Sequence, residues 1–179
     1  MSIITRRGDS GETDLLFGQR IAKTSSRMEV VGTIDELNAA LGLARSVSPS
    51  EIVALLDGIQ TRLIGLMGEL ATLPQDTAKY REKNYPRITE ADVTWIFETA
   101  TAYEKRGIRF SGWAIPGAEG SLGRAGLDFA RTIARRAERR VWQLHESGEP
   151  VSEDIRLFFN RLSDLLWILA RIDPSGEEK

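Results

Sequence analysis

The chain has 179 residues, 41% of them hydrophobic, which is enough for one domain with a proper core and too few to expect two. A formal charge of −2 at pH 7 excludes a general basic surface for nucleic acid. The absence of cysteine removes disulfides, thiolate catalysis and thiolate zinc sites together, and His145 has no second histidine with which to build a metal site. No apolar run approaches the ~20 residues of a membrane span and none resembles a signal peptide, so a cytoplasmic chain with no membrane partner is expected.

Residues 1–24 lack a helical period and are rich in Gly, Thr and charge, so an extended or looped segment is expected there. A first helix follows from about Arg27 to Ser46, with Val30, Ile34, Leu37, Leu41 and Ala44 facing inward and Ser25 or Ser26 as its cap. The second is marked by Ile52, Leu55, Leu56, Ile59, Leu63, Leu66, Met67 and Leu70, and Pro74 stops it. Residues 75–87 are polar and aperiodic, as in a mobile loop. Thr89 then caps a third helix to about Arg106, with Ile88 and Val93 placed as a hydrophobic staple.

A short apolar passage, Phe110 to Pro116, leads into residues 117–123, too glycine-rich for a helix. The fourth helix runs from about Leu122 to His145, ended by Gly148 and Pro150. The fifth, Ser152 to Ile172, puts Ile155, Phe159, Leu162, Leu166 and Leu169 on one face before Pro174 breaks it. No strand or repeat is convincing. The pattern predicts an all-α fold, a five-helix up-and-down bundle over 25–172 between an N-terminal segment, 1–24, and a tail, 173–179.

The fourth helix carries five arginines and one glutamate between Arg131 and Arg140. Leu127, Ala130, Ala134, Ala137, Val141 and Leu144 share one stripe, while Arg131, Arg135, Glu138 and Trp142 share another about 100° away, at the border of the buried face. A guanidinium at such a border is partly desolvated and offers a planar fork to phosphate or carboxylate oxygens. Arg136, Arg139 and Arg140 are expected to point further outward. A solvated charged face laced with i,i+4 pairs is the competing reading.

Polar residues also border the apolar stripes elsewhere: Asp35 and Asn38 on the first helix, Asn160 and Asp164 on the fifth. Asp35 and Arg131 are candidates for a salt bridge, within the chain or across a subunit interface, and a purely structural role suits that pair equally well. In the N-terminal segment, Gly8-Asp9-Ser10-Gly11 lets backbone N–H groups approach an anion, with Arg6, Arg7, Thr13 and Lys23 as side-chain donors. A flexible arm explains the same residues, and neither a P-loop nor a dinucleotide-binding glycine pattern is present.

Taken together, four blocks resemble the PduO-type family of ATP:cob(I)alamin adenosyltransferases, over most of the chain from Thr5 to Arg171. They are residues 5–13, 32–38, 130–139 and 159–166. The resemblance implies a homotrimer with ATP and a corrinoid bound at subunit interfaces, attack of cob(I)alamin on the 5′ carbon of ATP, and release of triphosphate, with Mg²⁺ as a cofactor. A corrinoid reductase and an adenosylcobalamin-dependent enzyme are the implied partners. It further implies that Arg131 and Arg135 contact triphosphate and the transition state, with Asp35 paired to Arg131 across the interface.

On the same footing, Thr5, Arg6, Arg7, Gly8, Asp9, Gly11, Thr13, Asp14 and Lys23 wrap the nucleotide together with Arg135, Arg136, Glu138, Arg139 and Asn160. Glu138 also helps to hold the metal or a water of its second shell, and Trp113, Trp167 and Asp35 form the corrinoid side. An aromatic ring beneath the corrin is the family's device for displacing the lower axial ligand. Here Trp113 and Trp167 stand where phenylalanine is common, Ser10 replaces a frequent lysine, and Asp128 replaces a usual histidine one turn before Arg131, where it could compete with Asp35. Besides an enzyme, a protein that holds ATP or adenosylcobalamin for delivery with little turnover fits these departures, as does a bundle whose arginines only pair with acids.

Overall fold

A computed structural model describes residues 4, 6–108, 113–118 and 120–172. Thr5, Phe110 and the tail 173–179 lie outside the described residues. Among the described residues the chain is mostly helical, with six α-helices and one two-stranded sheet.

The helices are α1 (Ser26–Arg45), α2 (Ser50–Leu70), α3 (Thr77–Glu82), α4 (Glu90–Glu104), α5 (Leu122–Glu146) and α6 (Glu153–Leu169). Side-chain caps start three of them: Ser25, Ser121 and Ser152 accept from the N–H groups of Met28, Arg124 and Ile155. At α4, Thr89 and Asp92 cap reciprocally, while Ile88 and Val93 are both buried in the core. Gly148, at φ 91°, ends the chain's passage out of α5 in a conformation that a side chain would strain.

Two sequence expectations are corrected. Residues 75–87 contain a 3₁₀ turn (Pro74–Asp76) and α3, held down by Tyr80, which is buried and donates its hydroxyl to the Pro86 carbonyl at 2.5 Å and the Gly65 carbonyl at 3.2 Å. In the N-terminal segment, where no strand was expected, β1 (Glu12–Asp14) pairs antiparallel with β2 (Arg20–Ala22), Thr13 opposite Ile21. Strands of three residues are too short to show period-2 alternation; the pairing is the antiparallel backbone ladder itself, with exposed cross-strand ion pairs from Arg20 to Asp14 (2.8 Å) and Glu12 (3.3 Å) added to it. This hairpin is pinned to the helices by Leu16 N–H on the Ala71 carbonyl and by Gln19 Nε2 on Asp76 Oδ2, at 3.2 and 2.8 Å.

Cross-helix contacts give the arrangement. Arg27 bonds to the Leu70 carbonyl and Gln60 to the Asn38 carbonyl, so α1 and α2 run antiparallel. α5 runs antiparallel to α1 (Arg140–Glu29, Gly126 beside Ala44) and to α6 (Glu138–Asn160, Asp128–Arg171). α4 closes the set, against α2 through Arg62–Asp92 and against α6 through Phe97–Arg161 and the Ala100–Ile168 groove. With five long helices, strict alternation cannot be kept all the way round, and α4 and α6 are the parallel pair.

α6 is therefore covered on two sides. Phe158, Leu165 and Ile168 are buried as well as the expected Ile155, Phe159, Leu162, Leu166 and Leu169. Phe158 and Phe159 pack edge-to-face, with centroids 6.2 Å apart. α1 approaches α5 closely at Gly126, where an added Cβ would stand 3.0 Å from the Ala44 methyl and 3.1 Å from its Cα.

Candidate functional site

Because α5 lies between α1 and α6, it has two borders rather than one. Toward α6, Glu138 Oε1 accepts from Asn160 Nδ2 at 3.2 Å, and Asp128 Oδ1 accepts from Arg131 Nε at 3.0 Å and from Arg171 Nη1 at 2.9 Å. Toward α1, Arg136 pairs with Glu36, and Arg140 with Glu29 at 3.2 Å. Arg135 and Arg139 face solvent, Arg139 Nη1 donating to the Arg135 carbonyl at 3.1 Å.

This corrects the expected layout of the arginines. Arg136 and Arg140 are half-buried against α1 rather than outward, and Arg135 is exposed rather than at a buried border. The cause is the close approach of α1, which brings Glu29 and Glu36 over the far flank of α5. Asp35 is exposed on α1 and makes no ion pair among the described residues, so the within-chain alternative for an Asp35–Arg131 bridge is not formed. Within the protomer Asp128 holds Arg131 instead.

The hairpin gathers most of the N-terminal candidates. Arg7 Nη2 donates to Asp14 at 3.1 Å, and Arg20 donates to the Arg7 carbonyl at 3.0 Å. Asp9 N–H bonds to the Arg6 carbonyl, Gly11 N–H to the Gly8 carbonyl and Lys23 N–H to the Gly11 carbonyl. Gly8 allows the Lys23 side chain to cross it, since a Cβ there would lie 2.9 Å from Nζ. Arg6, Arg7, Gly8, Asp9, Gly11, Thr13, Asp14 and Lys23 thus share one small, largely exposed unit.

The two tryptophans have different surroundings. Trp113 is 97% exposed. Trp167 lines a groove of about 300 Å³ between α4 and α6, with Phe97, Ala100, Glu104, Arg161 and Ile168, and the Arg171 guanidinium sits 4.7 Å from its ring centroid. A separate cavity of about 290 Å³ includes Arg27, Glu69, Tyr80, Arg87 and Ile155 in its wall and contains none of the sequence-predicted site residues. Burial pushes the Glu69 carboxyl above its usual range and the Tyr80 hydroxyl up to about 12.

The cobalamin adenosyltransferase family model matches residues 3–173. This chain belongs to that family. It is 39% identical to the corrinoid adenosyltransferase PduO of Salmonella typhimurium over 98% of its own length and 50% of that protein's. The chain thus spans about half the length of the PduO proteins it matches, whereas it aligns with 93% of the corrinoid adenosyltransferase of Mycobacterium leprae, at 35% identity over 98% of its own length. Among solved structures, a point variant of the PduO-type ATP:corrinoid adenosyltransferase from Lactobacillus reuteri, complexed with cobalamin and ATP, matches at a TM-score of 0.81 and 32% identity, covering 95% of this chain and 92% of that one.

The structure brings Arg131, Glu138 and Asn160 to one side of the α5/α6 pair together with Arg171, which no motif singled out. The available signal was its position four residues after Trp167, where a helical side chain reaches back onto the preceding turn. Among the described residues no group of three or more acidic or histidine side chains forms a metal cage.

Proposed function

We propose that the protein is a PduO-type corrinoid adenosyltransferase, which transfers the 5′-deoxyadenosyl group of ATP to the cobalt of cob(I)alamin or a related corrinoid and releases triphosphate. The observation that carries this reading is the polar face of α5 and α6, where Arg131, Glu138 and Asn160 are ordered by Asp128 and by one another, in a chain whose fold matches a structure that binds both substrates. The cobalt–carbon bond forms with the cobalt electron pair while the C5′–O bond breaks, its pair leaving on the triphosphate oxygen. Charge accumulates on that oxygen, and Arg131, anchored by Asp128, and Arg135 are the cations assigned to it.

Mg²⁺ typically binds one or two protein carboxylates together with substrate phosphates, so the lone carboxylate of Glu138 suits it better than a protein cage would. Bound there, the ion would offset phosphate charge; Asn160 holds the Glu138 carboxylate in place for it. Arg6, Arg7, Gly8, Asp9, Gly11, Thr13, Asp14 and Lys23 of the hairpin, with Thr5 before it, wrap the phosphates, and Arg136 and Arg139 complete the cationic field. Trp113 and Trp167 supply the apolar rings on the corrinoid side.

The proposed assembly is a homotrimer of five-helix bundles in the cytoplasm, with Asp35 of one protomer paired to Arg131 of the next. Exposed Leu43 on α1 and Leu122 and Phe129 on α5 support a seam along these two helices. A corrinoid reductase is the partner that supplies cob(I)alamin, and an adenosylcobalamin-dependent enzyme receives the product. Purified protein given Mg²⁺, ATP and chemically reduced cob(I)alamin should yield adenosylcobalamin by absorbance with equimolar triphosphate. Corrinoid binding without triphosphate release would instead support a delivery protein.

A further inference from the structure

One carboxylate oxygen of this chain holds two guanidinium groups. Asp128 is 5% exposed, and its Oδ1 accepts from Arg131 Nε at 3.0 Å and from Arg171 Nη1 at 2.9 Å. A carboxylate buried this deeply needs charged partners, and here both come from residues next to proposed substrate groups. Arg171 Nη1 also donates to the Trp167 carbonyl at 3.2 Å, and its guanidinium covers the Trp167 ring at 4.7 Å. Contacts therefore run unbroken from Arg131 through Asp128 and Arg171 to Trp167.

The choice of nitrogen matters. Asp128 binds Arg131 through Nε, and the two Nη groups of Arg131 make no hydrogen bond among the described residues. One Nη group of the terminal fork can then meet a phosphate oxygen while the other meets Asp35 of the next protomer, with the rest of the side chain already fixed. An arginine held in this way has less rotamer freedom to lose when the anion arrives.

We propose that Asp128 is a positioning residue for both substrates: it aims the Arg131 fork at the triphosphate and, through Arg171, sets the Trp167 ring on the corrinoid side. This rests on the adenosyltransferase reading above. The alternative is a clamp that only fastens the start of α5 to the end of α6.

The test compares D128N, which keeps the shape and removes the charge, in the wild-type and R131K backgrounds. ATP affinity is measured by titration without corrinoid, kcat and KM with cob(I)alamin, and Tm by melting. Positioning predicts at least a tenfold loss of ATP affinity for D128N in the wild-type background and less than twofold in the R131K background, because lysine has no Nε to anchor. R171M, which leaves the Arg131–Asp128 bond intact, should raise the KM for the corrinoid several-fold more than it weakens ATP binding, and it remains informative if D128N does not fold.

A lowered Tm with equal effects of D128N in both backgrounds, or an unchanged corrinoid KM in R171M, would overturn the proposal. Wild-type protein that binds ATP but forms no cobalt–carbon bond would sink the enzymatic reading alone, since the ATP titration still reads Arg131.

Discussion

Replacing Arg135 by alanine separates a catalytic arginine face from a merely solvated one. The Arg135 side chain faces solvent and makes no hydrogen bond or ion pair among the described residues, while its backbone carbonyl accepts from Arg139. Surface truncations of this kind shift stability by no more than about 0.5 kcal/mol, and for a chain of this size that is under about 2 °C in Tm. A fixed donor aimed at charge developing in a transition state contributes about 3 to 4 kcal/mol, or roughly 10² to 10³ in kcat. R135A should therefore melt like wild type and turn over at a hundredth of its rate or less.

Arg27 is the control. It is 3% exposed, bonded to Glu149 at 2.6 Å and to the Leu70 and Thr72 carbonyls at 2.7 and 3.3 Å. Its truncation leaves buried acceptors without a donor and should cost about 3 kcal/mol, lowering Tm by roughly 10 °C. Melting curves and single-turnover adenosylation on both variants decide the matter. An R135A protein that loses more than about 5 °C in Tm and keeps kcat within about twofold would refute the reasoning, because its arginine would then be structural.

Other perturbations follow from the same geometry. The Lys79 ammonium, with Gln19, holds the buried Asp76 carboxyl below its usual range; the resulting stability is present above the unfolded carboxylate pKa and is lost as pH falls through the lower folded value. D76N should flatten the fall in Tm toward acid and speed hydrogen exchange in the β1–β2 hairpin; an unaltered acid slope would dismiss Asp76 as its source. Gly126→Val places side-chain atoms where a Cβ already meets Ala44 at 3.0 Å, so denaturation should show a loss of about 1 to 3 kcal/mol, and wild-type stability would disprove the tight α1–α5 approach. Leu43→Asp puts a charge on the proposed seam and should convert trimers to monomers in light scattering; trimers that persist would place the seam elsewhere.

The long helices were legible because each repeats a 3–4 spacing between punctuating Ser, Thr, Gly and Pro residues, and their observed ends fall within a few residues of those expected. What the sequence hid was whatever depended on how many neighbours an element has. A single apolar stripe explains Ile155 to Leu169, so nothing in the period announced that Phe158, Leu165 and Ile168 are buried as well. The angle between stripes likewise put one border on α5, and only the presence of α1 on its far side turned Arg136 and Arg140 inward and left Arg135 outside. The hairpin and α3 are too short for any period; the hairpin is a backbone pair tied down at Ala71 and Asp76, and α3 is held by Tyr80.

The same argument applies to the residues that look least settled in one protomer. Asp35, Arg135 and Trp113 are all exposed, and exposed apolar side chains stand on α1 and α5, the helices that carry Asp35 and Arg135. A charge and an aromatic ring that serve a site shared between copies have no reason to find partners within their own chain. On the proposed trimer, then, their exposure is the expected signature, whereas Arg131, bonded to Asp128 through Nε, is already ordered within one protomer.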